Sequence, residues 1–354
     1  MRFKLVISVF LCALFAVSAA ETLDVNSLSA AQLLDRIQTG QEFPASEQVT
    51  LARAAVEKVK AEGRRELEST ACLSLAMALY LNTQQSDALQ VVEDCLPESA
   101  ASEPNIYLRL QSLRAGLWLL NGQLERSLAE YEQLVAEEHP GVDDVTLLRL
   151  RSNYGGALLE NGQVLQAMEE IQSVIQAGME IQHDFTVLGN TNNLLVLLME
   201  QRLYRDAMAW IDRIRPILER SDAQFYVESL RVHEMDLVVR MGNPERAVPQ
   251  LRSFLSEELS GALMEGHGYE LLAQALLITG DLDGARVAAE TAVELLAGST
   301  LEAADARFAL IQVLIAQGEY VAAQQNLRIV AMSPLLPPIR QEQLLNMDIE
   351  NELA

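Results

Sequence analysis

Apolar residues in this chain recur with the period of α-helices, broken by short polar turns, and the alternation repeats about every 40 residues. The clearest copy runs from Arg151 to Ile175. It reads as two amphipathic helices joined at Asn161-Gly162, with the small residue Ala167 five positions past the turn glycine. With Ala167 as a marker, equivalent small residues stand at Ala88, Ser127, Ala207, Ala247, Ala285 and Ala323, and successive markers are 39, 40, 40, 40, 38 and 38 residues apart. Counting from the marker, positions +4 and +7 (Ile171 and Val174 in this copy) share one helical face with it. Positions −12 and −9 (Gly155 and Leu158) line the preceding helix. Position −5 is Gly122, Gly162, Gly242, Gly280 or Gly318, where glycine closes a helix in the left-handed conformation; Thr83 and Arg202 occupy it in the other two copies. One hairpin cannot bury its apolar face alone, so seven in phase predict a stack.

The flanks break the pattern. Arg2 and Lys4 precede an apolar run from Leu5 to Val17, and Ser18-Ala19-Ala20 supplies small residues for a signal peptidase. Residues 1–20 are therefore expected to be a signal peptide cleaved after Ala20, and the mature protein to be periplasmic or secreted. No later stretch is apolar enough to cross a membrane. Residues 21–65 predict two capping helices, the first opened by a capping box of Ser29 and Gln32. The array covers residues 66–332, with exposed links expected at Leu96–Asn105 and Ala136–Asp144. A last amphipathic helix, within 333–354, is expected to cap the final repeat.

The succession of small residue, leucine or aromatic, turn glycine and alanine resembles the tetratricopeptide repeat family over roughly residues 66 to 332. The period exceeds that family's ~34 residues. Arg114 and Glu234 stand at −13, where the family favours leucine, and Pro249 falls inside a second helix that it is expected to kink. The resemblance implies an all-α, right-handed α-solenoid of about seven hairpins with caps, which recognises a protein or peptide along its concave face without catalysis. An alternative resemblance is to the extracytoplasmic sensor region of bacterial membrane signalling proteins of the diguanylate cyclase type. In those a membrane helix and an output domain follow the array, so this chain is expected to be a stand-alone relative or to lack its output half.

Charge narrows the partners. The chain holds 26 basic and 50 acidic residues; loss of the signal would remove two basic ones and leave a net charge of −26. Nucleic acid and anionic lipid need basic surface, so neither is expected. No phosphate loop, nucleophile elbow, CxxC or HExxH motif occurs, and Gly266-His-Gly268 follows no strand pattern. No cofactor and no enzymatic activity are expected. His233 with Asp236 and His267 with Glu270 are i, i+3 pairs on neighbouring first helices. They offer donors for zinc, but two hydrogen-bonded pairs lining a groove are the preferred reading, and no metal is assigned.

Cys72 and Cys95 are centred on the first hairpin's turn, so antiparallel helices bring them level; a disulfide is expected, with two buried free thiols as the alternative. The groove is read from the first helices. The family resemblance implies that Asn153 and Asn193, both at −14, grip the backbone of an extended peptide. Arg109 and Arg149 at −18 lie one turn earlier on that face, with Arg151 near them. Ser112, Ser152 and Asn192 occupy −15. Together they predict a polar strip suited to a carboxylate or acidic peptide, continuing through His233, Asp236, His267, Glu270 and Gln274.

Overall fold

The computed structural model describes residues 27–38, 45–99, 103–298 and 302–331. The expected signal peptide and the closing helix within 333–354 lie outside the described residues. Among the described residues there are only helices and turns, and no helix is long and apolar enough to cross a membrane. The fold is an all-α solenoid made of helical hairpins. By internal contacts the described residues divide into two compact units, 27–190 and 191–331.

In the first unit, α1 (Ala30–Gln38) and α2 (Ala45–Glu62) form the N-terminal pair. The capping box is made: Ser29 N–H donates to Gln32 Oε1 at 2.9 Å and Gln32 N–H to Ser29 Oγ at 3.3 Å. A short 3-10 turn, Arg65–Leu67, leads into three hairpins, α3 (Glu68–Leu81) with α4 (Gln85–Ser99), α5 (Pro104–Leu120) with α6 (Leu124–Ala136), and α7 (Asp144–Glu160) with α8 (Val164–Glu180). First helices of successive hairpins pack on each other, α3 on α5 and α5 on α7. The expected link is non-helical over residues 137–143, whereas α4 continues to Ser99 through what the prolines and acids of Leu96–Asn105 suggested was loop. Cys72 and Cys95 are bonded, their Cα atoms 6.2 Å apart, and the bond joins α3 to α4.

Helix α9 (Asp184–Glu200) begins in the first unit and ends in the second. The second unit continues with α10 (Tyr204–Leu218), the pairs α11 (Gln224–Arg240) with α12 (Pro244–Phe254) and α13 (Ala262–Thr279) with α14 (Leu282–Leu295), then α15 (Glu302–Ala316) with α16 (Tyr320–Ala331). Its core runs through Met235, Leu251, Phe254, Ala273, Phe308 and Ile311. Helix α12 contains Pro249, is the shortest second helix of the seven hairpins, and ends five residues beyond the proline. Pro216 sits similarly near the end of α10.

All seven markers are fully buried, at 0 % exposure. The small side chain is what lets two helix backbones cross closely. Each hairpin turn is closed by the same hydrogen bond, from the N–H at −4 to the carbonyl at −9; examples are Gln163 to Leu158 at 2.9 Å and Glu319 to Leu314 at 2.8 Å. Thr83 and Arg202 adopt the left-handed conformation of the turn glycines, with φ of 59° and 58°. The backbone grammar therefore holds where the residue type departs from it.

Candidate functional site

In the first unit, Arg109, Ser112, Arg149 and Asn153 line one pocket with a cavity volume of about 120 Å³. Its walls are mostly apolar, with Leu73 and Met77 from α3, Leu108 and Leu113 from α5, and Leu150 from α7. Asn153 Nδ2 donates to Ser112 Oγ at 3.0 Å. Tyr131, buried on α6, donates its hydroxyl to the Ser112 carbonyl at 2.8 Å and fixes α5 against α6. The floor stays open at Gly116, where an added methyl group would meet only the Tyr131 hydroxyl, at 3.2 Å.

The two arginines are half-buried. Arg109 has no ion-pair or hydrogen-bond partner among the described residues. Burial and the like charge of Arg149 push its pKa down to about 10, against the opposing pull of Asp143. Burial also lowers the pKa of Arg149, again opposed by Asp143. Guanidinium stays protonated in proteins, so these shifts measure how poorly the site accommodates its own charge. Arg151 is different: its Nη2 donates to Glu170 Oε2 at 3.1 Å and it pairs with Glu170 through Nε as well. It is thus engaged by Glu170 and Ser173 of α8. Ser152 Oγ donates to Asn190 Oδ1 of α9 at 2.9 Å.

In the second unit, the predicted polar residues bond mostly to one another. Asn192 Oδ1 accepts from Ser229 Oγ at 2.6 Å and lies 3.1 Å from His233 Nε2. Arg240 Nε binds both oxygens of Asp236, at 2.8 and 2.9 Å. Gln274 Nε2 donates to Glu270 Oε1 at 3.1 Å, and His267 Nδ1 is 3.8 Å from Glu270 Oε2. Burial, His267 and Arg240 lower the pKa of His233 to about 4. For His267 burial also opposes charge, but Glu270, Glu302 and Asp305 outweigh it and its pKa is raised. Among the described residues no group of three or more His, Cys, Asp or Glu is arranged to hold a metal ion. Asn193 is half-buried and has no side-chain partner among the described residues.

Residues 235–299, from α11 into the end of the α13/α14 hairpin, match the tetratricopeptide repeat family. That segment is a tetratricopeptide repeat region. Solved repeat structures share the chain's fold at low identity. A signal transduction ATPase with numerous domains, carrying a tetratricopeptide repeat sensor, from Pyrococcus horikoshii is 14 % identical, with a TM-score of 0.58 over 91 % of this chain and 48 % of that one. The present chain therefore spans about half the length of that protein. The apo form of the quorum sensor NprR from B. thuringiensis is 12 % identical, with a TM-score of 0.52 over 84 % of this chain and 97 % of that one. A tetratricopeptide repeat protein from Parabacteroides merdae is 15 % identical, with a TM-score of 0.51 over 80 % and 98 %. At these identities the likeness concerns the fold. No curated protein matches the chain.

Against the repeat pattern, the two departures at −13 have a physical cause. Arg114 pairs with Glu130 and stacks on Trp118, its guanidinium 4.9 Å from the ring centre. Glu234 accepts from Arg215 at 2.9 Å. Each replaces the leucine of the repeat with a charged pair between neighbouring helices. The pattern also left residues unnoticed. Gly116 and Tyr131 shape the pocket. Glu228, buried in the second unit, accepts from the Ser260 N–H at 3.0 Å and from Gln224 Nε2 at 2.8 Å, and so ties the loop before α13 to α11. Gly116 sits at −11, one turn beyond Ser112 on the same helical face, and that spacing is the signal that would have found it.

Proposed function

We propose that this protein is a non-catalytic scaffold that binds a protein or peptide partner outside the cytoplasm. Tetratricopeptide repeat proteins generally act as interaction scaffolds. The observation that carries the reading here is the convergence of Arg109, Ser112, Arg149 and Asn153, chosen by repeat position, on one pocket. Asn153 keeps its amide oxygen unengaged by described residues, and Asn193 keeps its whole amide, so each has capacity for a peptide backbone. The net charge of −24 disfavours nucleic acid and anionic membranes as partners. The Cys72–Cys95 bond and the signal-like first 20 residues both suit an oxidising, extracytoplasmic compartment.

The test is capture from a cell-envelope extract with the tagged full chain, followed by identification of the retained protein. Asn153→Ala combined with Asn193→Ala should weaken capture and leave helicity and Tm nearly unchanged. Equal capture, or loss only alongside unfolding, would remove these residues from the binding surface. The N-terminus of protein recovered from cells should be Glu21; retention of Met1 would contradict export with cleavage. A sensing module is the second reading, and a pocket with paired arginines favours it over a flat docking face.

A further inference from the structure

The polar end of the first unit's pocket holds both a donor and an acceptor in reserve. Arg109 makes no ion pair or hydrogen bond among the described residues, so its guanidinium N–H groups are open to a ligand. The Tyr80 hydroxyl, also in the lining, makes no hydrogen bond among them either. Asn153 donates its Nδ2 to Ser112 Oγ at 3.0 Å, which leaves its Oδ1 open as an acceptor. A peptide carries an acceptor and a donor in each unit and suits both. An anion would suit the donors but would face the Asn153 carbonyl oxygen, acceptor against acceptor. A peptide unit is also neutral, so it leaves the pull of Asp143 on Arg109 and Arg149 as it stands. The apolar part adds a size. Its walls come from α3, α5 and α7, and the cavity volume is about 120 Å³. A cavity of ~150 Å³ accommodates benzene, so this one suits a hydrocarbon group of roughly four or five carbons.

We propose that this pocket is a side-chain subsite that selects one leucine-sized aliphatic residue of a peptide partner. That side chain packs against Leu73, Met77 and Leu113, and the peptide units beside it pair with Arg109 and Asn153. The inference rests on the scaffold reading and deepens it: a grip on the backbone reads no sequence, whereas a closed apolar pocket reads the size and polarity of one residue. Gly116 sets the depth. A methyl group there would meet the Tyr131 hydroxyl at 3.2 Å, and any longer side chain would occupy the floor. Ser112 is 5 % exposed, its carbonyl accepts from Tyr131 and its Oγ from Asn153. The polar end is therefore held in place before a ligand arrives, which lowers the cost of binding.

The experiment titrates the purified full chain with N-acetyl-leucine methylamide, one leucine side chain between two neutral peptide units. The readout is the ε-methyl NMR resonance of Met77, assigned with Met77→Leu. The expected dissociation constant is about 1 mM, the scale for a ligand of this size. The glycine analogue, which lacks the side chain, and the tryptophan analogue, which exceeds the cavity, should each bind at least ~10-fold more weakly. Two ester analogues replace one N–H or the other by oxygen. One of them should bind ~5-fold more weakly than the amide, and that loss should disappear in Asn153→Ala. Leu113→Trp, which fills the pocket from a half-buried position, should abolish the shift with the helical signal retained. The proposal is overturned if the Met77 resonance does not move up to about 20 mM amide, if the glycine or tryptophan analogue binds as well as the leucine one, or if Leu113→Trp binds as wild type. It is also overturned if neither ester loses affinity, if the loss persists in Asn153→Ala, or if 4-methylpentanoate binds ~10-fold more tightly than the amide, since the pocket would then be an anion site. Partner capture is measured separately. Capture by a chain that fails the titration keeps the scaffold reading and removes the subsite, so the two failures are told apart.

Discussion

The two units place different chemistry at the same repeat positions. At −18, α5 and α7 of the first unit carry Arg109 and Arg149, and α11 and α13 of the second carry Ser229 and His267. At −11 the same helices carry Gly116 and Gly156 in the first unit, and Asp236 and Gln274 in the second. In the second unit these side chains reach a neighbour: Ser229 bonds Asn192, Asp236 holds Arg240, and Gln274 holds Glu270. In the first, glycine removes the side chain that would fill the face, and Arg109 makes no ion pair or hydrogen bond among the described residues. The helical scaffold is alike in both. Whether its inner face becomes a site or a structural network depends on the bulk at −11 and the pairing of charge at −18.

The disulfide should be the strongest single device in the first unit. It closes a separation of 23 residues, and its removal in Cys72→Ala with Cys95→Ala should cost about 3 kcal/mol in urea unfolding; an unchanged midpoint would show that α3 and α4 hold without it. Helix glycines sharpen the comparison next. Gly266→Ala would set a methyl group 2.5 Å from Leu296 Cγ in the second unit, and is expected to cost about 1–3 kcal/mol. Gly156→Ala in the first unit meets nothing within 4 Å and should gain about 0.5–1 kcal/mol from helix propensity. Equal effects at the two glycines would mean that the first unit is packed as tightly as the second.

Titration probes the second unit's network. His233 has a folded-state pKa of about 4, below the ordinary 6.5. The unfolded chain therefore binds more protons in that window, and stability falls as pH drops through it. His267 has the opposite sign: its pKa is raised, its contribution is complete below the unfolded value, and it is lost as pH rises through the folded one. His233→Asn should lose about 1–2 kcal/mol less than wild type between pH 7 and pH 5. His267→Gln should lose more than wild type over the same interval. Urea midpoints at the two pH values decide, and parallel profiles for both variants would refute the assignment. The smallest effect is expected at the turns. Thr83→Gly and Arg202→Gly should each stabilise by up to about 1 kcal/mol, because both residues stand where φ is positive; calorimetric Tm values check it.

The marker residues were legible because close helix crossing requires a small side chain, a steric demand that survives sequence drift. Thr83 and Arg202 were legible as exceptions in type but not as conformers in kind, since the −4 to −9 hydrogen bond fixes the turn whatever side chain it carries. The pocket's polar rim was readable from Arg109, Ser112, Arg149 and Asn153. The engagement of Ser152 and Asn192 was not, because it depends on their meeting Asn190 and Ser229 across an inter-helix register that periodicity leaves open. Gly116 was passed over because a glycine inside a helix reads as a weak point, and its value lies in the space it leaves. Glu228 was lost among 50 acidic residues; only burial distinguishes it.

The first unit holds a guanidinium, Arg109, whose charge Asp143 matches only in part. The most direct measurement is the unfolding free energy of ligand-free Arg109→Met against wild type, by urea at neutral pH. A half-buried cation that a carboxylate only partly offsets destabilises its own fold, so the neutral side chain of similar length should raise stability by about 1 kcal/mol. A fall in stability would show that Arg109 is a structural residue and would contradict the account.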